Sequence, residues 1–191
     1  MARVAIAAGP AFTSGGCALV VVLAVSCPSS LALAKNSDIE TAGNGAKFAL
    51  PVAGLALNLV HKDADGALQL GVSWLGAYGT SRLLKEIVRE ERPDHSGMDS
   101  FPSASTASAF AAASSIQVRY GWDYGLPAYA MAAFVGYSRV AADKHHWHDV
   151  AAGAVIGWGI GQLVTNPYQR LPEIQAYAGA EGAALQATWH W

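Results

Sequence analysis

Three clusters of polar residues interrupt a chain that is otherwise poor in charge. The richest runs Ser138-Arg139-Val140-Ala141-Ala142-Asp143-Lys144-His145-His146-Trp147-His148-Asp149. On a helix, His145 and Asp149 stand four residues apart and share a face. A carboxylate so placed accepts from one imidazole nitrogen, fixes the tautomer and leaves the other nitrogen as a nucleophile or base. Two other readings of this segment stay open: a metal cluster built on the histidines, and a polar helix start without chemistry. An earlier cluster, Ser100-Phe101-Pro102-Ser103-Ala104-Ser105-Thr106-Ala107-Ser108, opens an Ala-rich segment at a Pro-Ser pair. Hydroxyls and free backbone N–H groups crowd such a helix amino terminus, which suits an anion and equally suits plain capping. The first cluster, Lys85-Glu86-Ile87-Val88-Arg89-Glu90-Glu91-Arg92-Pro93, reads alone as the solvated end of a helix with i,i+3 and i,i+4 charge pairs.

Together the three are far more specific. Lys85, six residues, then Arg92-Pro93; Pro102-Ser103; and Ser138-Arg139, five residues, His145, three residues, Asp149 follow in that order. This pattern resembles the tripartite signature of the type 2 phosphatidic acid phosphatase and vanadium haloperoxidase superfamily, over about residues 46–165. The resemblance implies an all-α bundle that gathers the three motifs around one phosphate. It implies Lys85, Arg92 and Arg139 as holders of the phosphoryl oxygens, with the Ser103 hydroxyl and the Ala104 N–H as further donors. It implies His145 as the nucleophile of a phosphohistidine intermediate and Asp149 as the residue that orients it. No metal ligand and no cofactor enter this reading.

One departure matters. The superfamily's second motif reads Pro-Ser-Gly-His, and this chain reads Pro-Ser-Ala-Ser. Ala104 keeps its N–H, but Ser105 stands where the resemblance implies the general acid for the leaving group. Such an acid is typically worth 10²–10⁴-fold. A substrate with a good leaving group, such as a pyrophosphate, would tolerate the loss. His95, in the loop between the first two motifs, is the nearest replacement by sequence. The third outcome is a protein that binds phosphate or anionic lipid headgroups without efficient turnover. A haloperoxidase fits poorly, since the chain lacks both the extra helical regions of those enzymes and the motif-two histidine. The expected activity is therefore that of an exported phosphatase acting on phosphomonoesters or pyrophosphates, with lipid phosphates favoured by the apolar surroundings.

Five apolar segments must position these residues, at roughly 46–61, 66–91, 103–119, 125–142 and 147–165. Each has helical length, and breakers separate them at Asp63-Ala64-Asp65-Gly66, Arg92-Pro93-Asp94, Gly121-Trp122-Asp123 and Asn166-Pro167. An all-α bundle of about five core helices over 46–167 is the natural product. Residues 35–45 are polar and turn-rich and read as a linker. In the tail, 168–191, Leu185, Ala187, Trp189 and Trp191 alternate with Gln186, Thr188 and His190, which is strand periodicity; a short packed or frayed tail is the simpler alternative.

The 191 residues suffice for one domain, and 52% hydrophobic against 14% charged residues excludes disorder as the main state. A net charge of -2 and the lack of a basic run give nucleic acid no footprint. Residues 1–34 read as an export signal: Arg3, an eleven-residue apolar core at 17–27, and Ala32-Leu33-Ala34 as a small-x-small cleavage site. Both cysteines lie in that segment, so a chain starting at Lys35 has no thiol for catalysis or zinc. The uncharged stretches at 100–118 and 150–169 approach spanning length but contain Ser, Gly, Gln and Asn. The expectation is an exported protein, periplasmic or membrane-associated, with its site on the non-cytoplasmic side and a phosphorylated small molecule or lipid as partner.

Overall fold

The computed structural model describes residues 36–168 and the backbone of two strand segments, 173–179 and 182–188. The expected export signal at 1–34 lies outside the described residues, as do Trp189 and Trp191. Five helices follow one another: α1 (Asn36–Val60), α2 (Ala64–Ile87), α3 (Ala104–Tyr120), α4 (Trp122–Ala141) and α5 (Trp147–Val164). The fold is the expected all-α bundle, and the breakers act where they stand. Asp63 caps α2 by accepting from the Gly66 N–H at 2.9 Å. Gly121, at φ 87°, ends α3 and starts α4 in a conformation that L side chains rarely adopt.

Helix α3 is the axle of the bundle. Eleven of its seventeen residues are buried, and it packs against all four other helices. Its faces are Ala and Ser, so its neighbours come close. Gly153, Gly157 and Gly161 recur every fourth residue on α5 and face it; a Cβ on Gly157 would lie 2.0 Å from the Ala107 carbonyl oxygen. The two helices thus meet backbone to backbone, with their amino termini side by side: the Ser103 N–H donates to the Asp149 carbonyl at 3.0 Å. Larger apolar side chains fill the other flank, where Leu50, Leu70 and Val135 bury against Ile116 and the alanines of α3.

One expectation needs correcting and one alternative drops out. The segment 35–45 is not a linker, since α1 is helical from Asn36. Its Asn and Gly content predicts poor helix, but tertiary contacts override propensity. Arg139 bonds to Asn44 and to the Glu40 carbonyl, and Gly43 sits where a Cβ would strike the Ser138 hydroxyl at 1.9 Å. The tail forms an antiparallel hairpin, β1 (Glu173–Gly179) with β2 (Gly182–Thr188), Gly179 facing Gly182 at its closed end. The tail is thus strand-like, as the alternation at 185–188 predicts, and the frayed alternative drops out. Among the described residues no helix is long and apolar enough to cross a membrane.

Candidate active site

Lys85 occupies the last turn of α2 and points inward, only 6% exposed. Its Nζ donates to the carbonyls of Asp99 and, at 3.0 Å, Ser100. Its neighbours Glu86 and Arg89 are exposed, so the solvated-end reading holds for them and fails for Lys85. The helix stops at Ile87, four residues short of the expected end, which leaves Arg92 on a loop. That loop is tied down. Arg92 donates through Nε and Nη2 to both Asp99 oxygens at 2.8 and 2.9 Å. Lys144 reaches Asp94 at 2.7 Å, and the Asp94 N–H donates to the Asp143 carbonyl at 3.1 Å. The first motif is thereby clamped onto the turn that carries the third.

Arg139 lies buried in the last turn of α4. Its Nη1 donates to Asn44 Oδ1 at 3.0 Å and its Nη2 to the Glu40 carbonyl at 3.1 Å. Beyond it the chain turns through Asp143, at φ 53°, and delivers His145 just ahead of α5. His145 and Asp149 therefore do not share a helical face as the spacing predicted. His146 caps α5, Asp149 is its third helical residue, and the two side chains meet because the helix start folds Asp149 back on the preceding turn. The His145 Nδ1 to Asp149 Oδ2 separation is 3.5 Å, adjacent but not a hydrogen bond. Asp149 Oδ2 instead accepts from the Ser100 hydroxyl at 2.5 Å and the His146 N–H at 2.8 Å.

Burial dominates the electrostatics. It lowers Lys85 to about 8, with Arg92 adding to the shift and Asp99 and Asp149 opposing it. It also lowers Arg139, against the pull of Glu40. His145 falls to about 4, from burial first and the nearby Lys85 second; the imidazole is neutral at pH 7. Burial pushes the Asp149 carboxyl up, but the Ser100 hydroxyl and the His146 N–H outweigh it, and the group stays ionised. Lys85, Arg92, His145 and Asp149 lie close enough to perturb one another, and Arg139 feels Arg92. Lys85 and Arg139 are held by carbonyl and amide oxygens and, among the described residues, make no salt bridge. Buried cations without carboxylate partners are costly unless something anionic visits.

The second motif closes the group. Ser103 is the cap of α3 and Ala104 its first residue, both buried. The Ser103 hydroxyl accepts from Thr106 at 2.9 Å and does not cap the first-turn N–H groups, and uncapped groups of this kind suit an anion. Ser105 lies half-buried in that same turn. His95 is different: its ring is 80% exposed and contacts Glu91 at 2.9 Å, on the outer side of the loop.

Sequence reasoning missed four supports: Asp99 on Arg92, Ser100 on Asp149, and Asn44 with the Glu40 carbonyl on Arg139. Only Asp99 and Ser100 had a local signal, as polar residues just ahead of the Pro-Ser pair. The α1 partners lie 95 and 99 residues from Arg139 and had none.

A family model described as the PAP2 superfamily matches residues 66–172, which include all three motifs. The chain is 37% identical over 110 residues to a lipid A 1-phosphatase of Porphyromonas gingivalis, a match covering 55% of this chain and 23% of that protein. The chain thus spans about a quarter of that relative's length. It is 29% identical over 172 residues to a lipid A 4'-phosphatase of Helicobacter pylori, covering 80% of this chain and 85% of the relative. The crystal structure of Aquifex aeolicus LpxE is similar in fold, with a TM-score of 0.56 at 22% identity over 66% of this chain and 84% of that one.

Proposed function

Because the chain belongs to the PAP2 superfamily, we propose that it is an exported phosphatase that hydrolyses lipid phosphomonoesters or pyrophosphates through a phosphohistidine intermediate. The observation that carries this reading is the pair of buried cations, Lys85 and Arg139, held among the described residues by neutral acceptors beside a neutral buried histidine. Phosphoryl transfer asks mainly for positioning and charge neutralisation. Lys85, Arg139 and Arg92 would take the phosphoryl oxygens, with the α3 N–H groups completing the cradle. His145 Nε2 would attack phosphorus in line. The P–N bond forms as the P–O bond to the leaving group breaks, and the departing oxygen needs a proton. Water then cleaves the P–N bond and releases phosphate. Since burial keeps His145 unprotonated, its lone pair is ready at neutral pH. Asp149 would accept from Nδ1; such bonds are often long before substrate tightens them.

Lipid as the substrate class rests on the two relatives' names and on the outward faces of the bundle. Phe48, Val52, Leu55 and Leu59 make an exposed apolar stripe on α1, and Val155, Trp158 and Leu163 are exposed on α5. Stripes of this kind mark membrane or protein contact. Export rests on the sequence of residues 1–34 alone. Phosphate release from a panel of lipid phosphates by purified protein tests the whole reading, and no release from any member would refute it.

A second reading is favoured by Ser105 and by the surface position of His95. Neither supplies an acid inside the pocket near pH 7, so turnover of alkyl esters would be slow and phosphate binding would dominate. Ser105→His, combined with Ala104→Gly, should raise alkyl phosphomonoester hydrolysis by about one to four powers of ten. Fast alkyl-ester hydrolysis by the wild type, unchanged in Ser105→His and in His95→Ala, would remove this reading.

A further inference from the structure

Beside the phosphate pocket stands a second constellation that the phosphatase reading does not use. Glu90 lies on the loop after α2, His146 caps α5, and His148 and Asp149 occupy its first turn. One ligand atom from each of the four lies within 4.8 Å of all the others. His148 Nε2 is 2.6 Å from Glu90 Oε1 and 3.1 Å from Asp149 Oδ1. His146 Nδ1 is 3.4 Å from the same Glu90 oxygen and 3.5 Å from Asp149 Oδ2. The two imidazoles are stacked, with centroids 5.1 Å apart and planes 10° from parallel.

Hydrogen bonding joins His148 Nε2 to Glu90 Oε1 and the His146 N–H to Asp149 Oδ2, but it accounts for only part of this grouping. Asp149 is fully buried, and its Oδ1 has no hydrogen-bond partner among the described residues; the buried Nδ1 of His146 has none either. Two orphaned polar atoms converging on one point are an expensive arrangement unless something binds between them. The donor set is two imidazole nitrogens and two carboxylate oxygens. Zinc takes such ligands at about 2.0–2.2 Å in tetrahedral geometry, which places neighbouring ligand atoms roughly 3.3 Å apart. The observed separations straddle that value, and small rotations of the exposed His148 and the half-buried Glu90 and His146 side chains would equalise them. Imidazole donors select zinc-like transition ions over magnesium or calcium.

We propose that Glu90, His146, His148 and Asp149 form a binding site for a zinc-class divalent cation on the rim of the phosphate pocket. Asp149 joins the two sites: its Oδ2 keeps Ser100 and the His146 N–H, while Oδ1 turns to the metal. Glu90, His146 and His148 lie outside the three-motif pattern, so this site is a feature of this chain's own residues. It needs no turnover and stands whether or not the phosphatase reading holds.

The test is calorimetric titration of Zn²⁺ into the full chain after chelator treatment and dialysis, with Co²⁺ absorption as a second readout. One ion should bind per chain, and Co²⁺ should give the visible bands of a tetrahedral nitrogen–oxygen site. His148→Ala and Glu90→Gln, both partly exposed positions that leave the core intact, should each weaken Zn²⁺ at least tenfold. Absence of a Zn²⁺ heat and of Co²⁺ bands in the wild type would overturn the proposal. So would unchanged Zn²⁺ affinity in both variants, which would assign the binding to other histidines.

Discussion

The two ends of α3, about 25 Å apart, bury similar charged groups in opposite ways. At the carboxyl end, Arg119 clamps Asp63, with Nε to Oδ2 at 2.6 Å and Nη2 to Oδ1 at 2.5 Å. The Tyr120 hydroxyl bonds Asn58 at 2.6 Å and Asp63 at 3.0 Å, and Arg119 Nη1 reaches the Asn166 carbonyl at 2.9 Å. Each charge there deepens the other: Arg119 holds the Asp63 carboxyl low, and Asp63 holds the Arg119 guanidinium high. At the amino end the pattern reverses. Lys85 and Arg139 are lowered by burial, His145 Nδ1 and Asp149 Oδ1 lack hydrogen-bond partners among the described residues, and the Ser103 side chain does not cap the first turn. A closed ion pair holds helices together, whereas an open set of buried cations stores an unfavourable energy that a bound anion relieves. Burial alone does not tell the two apart; the partners do.

Substitutions at each end should therefore separate turnover from stability. His145→Ala should lower phosphate release by about four powers of ten or more while the unfolding midpoint hardly moves; comparable losses of both would mean that His145 is structural. Arg119→Ala should do the converse. Removing one partner of a buried pair strands the other, at about 3 kcal/mol of stability by chemical denaturation, with turnover per folded molecule unchanged. The third contrast is anion linkage. Vanadate at a hundredfold excess over its dissociation constant should stabilise the wild type and Arg119→Ala by about 2.7 kcal/mol, and Arg139→Ala hardly at all. Equal gains in all three would place the anion elsewhere.

The smallest effect concerns pH. Lys85 has its folded value near 8, below its ordinary 10.5, so between those values the unfolded chain holds a proton that the folded chain has lost. The stability contribution of this group therefore rises with pH across that window, and its hold on phosphate falls. Phosphate affinity should drop roughly tenfold from pH 8 to pH 10, the worth of one charge-assisted hydrogen bond. Lys85→Arg, which keeps its charge, should flatten the drop. An identical slope in both proteins would exclude Lys85 as the titrating group.

Most of the fold was legible because its boundaries are local events. Asp63 and Gly121 stop or start helices through their own backbone and side-chain preferences. The motif residues were legible because the order and spacing of the three motifs match one known pattern. Two inferences drawn from local rules failed. The spacing of His145 and Asp149 predicts one helical face, yet the pair is built by a helix start. The composition of 35–45 predicts a linker, yet α1 is held helical there by contacts with α4. Sequence periodicity sees neither, because each depends on what another element presents.

The five helices, the order of the three motifs and the serine at position 105 in place of the motif-two histidine all follow from residue types at short range. Which charges are satisfied follows instead from the packing of the helices. It paired Arg119 with Asp63 across 56 residues and Ser100 with Asp149 across 49, and it left Lys85 and Arg139 with oxygens that carry no full charge. Those outcomes turn on helix packing, where the small residues of α3 and the glycines of α5 bring backbones together and so fix which side chains share a buried space.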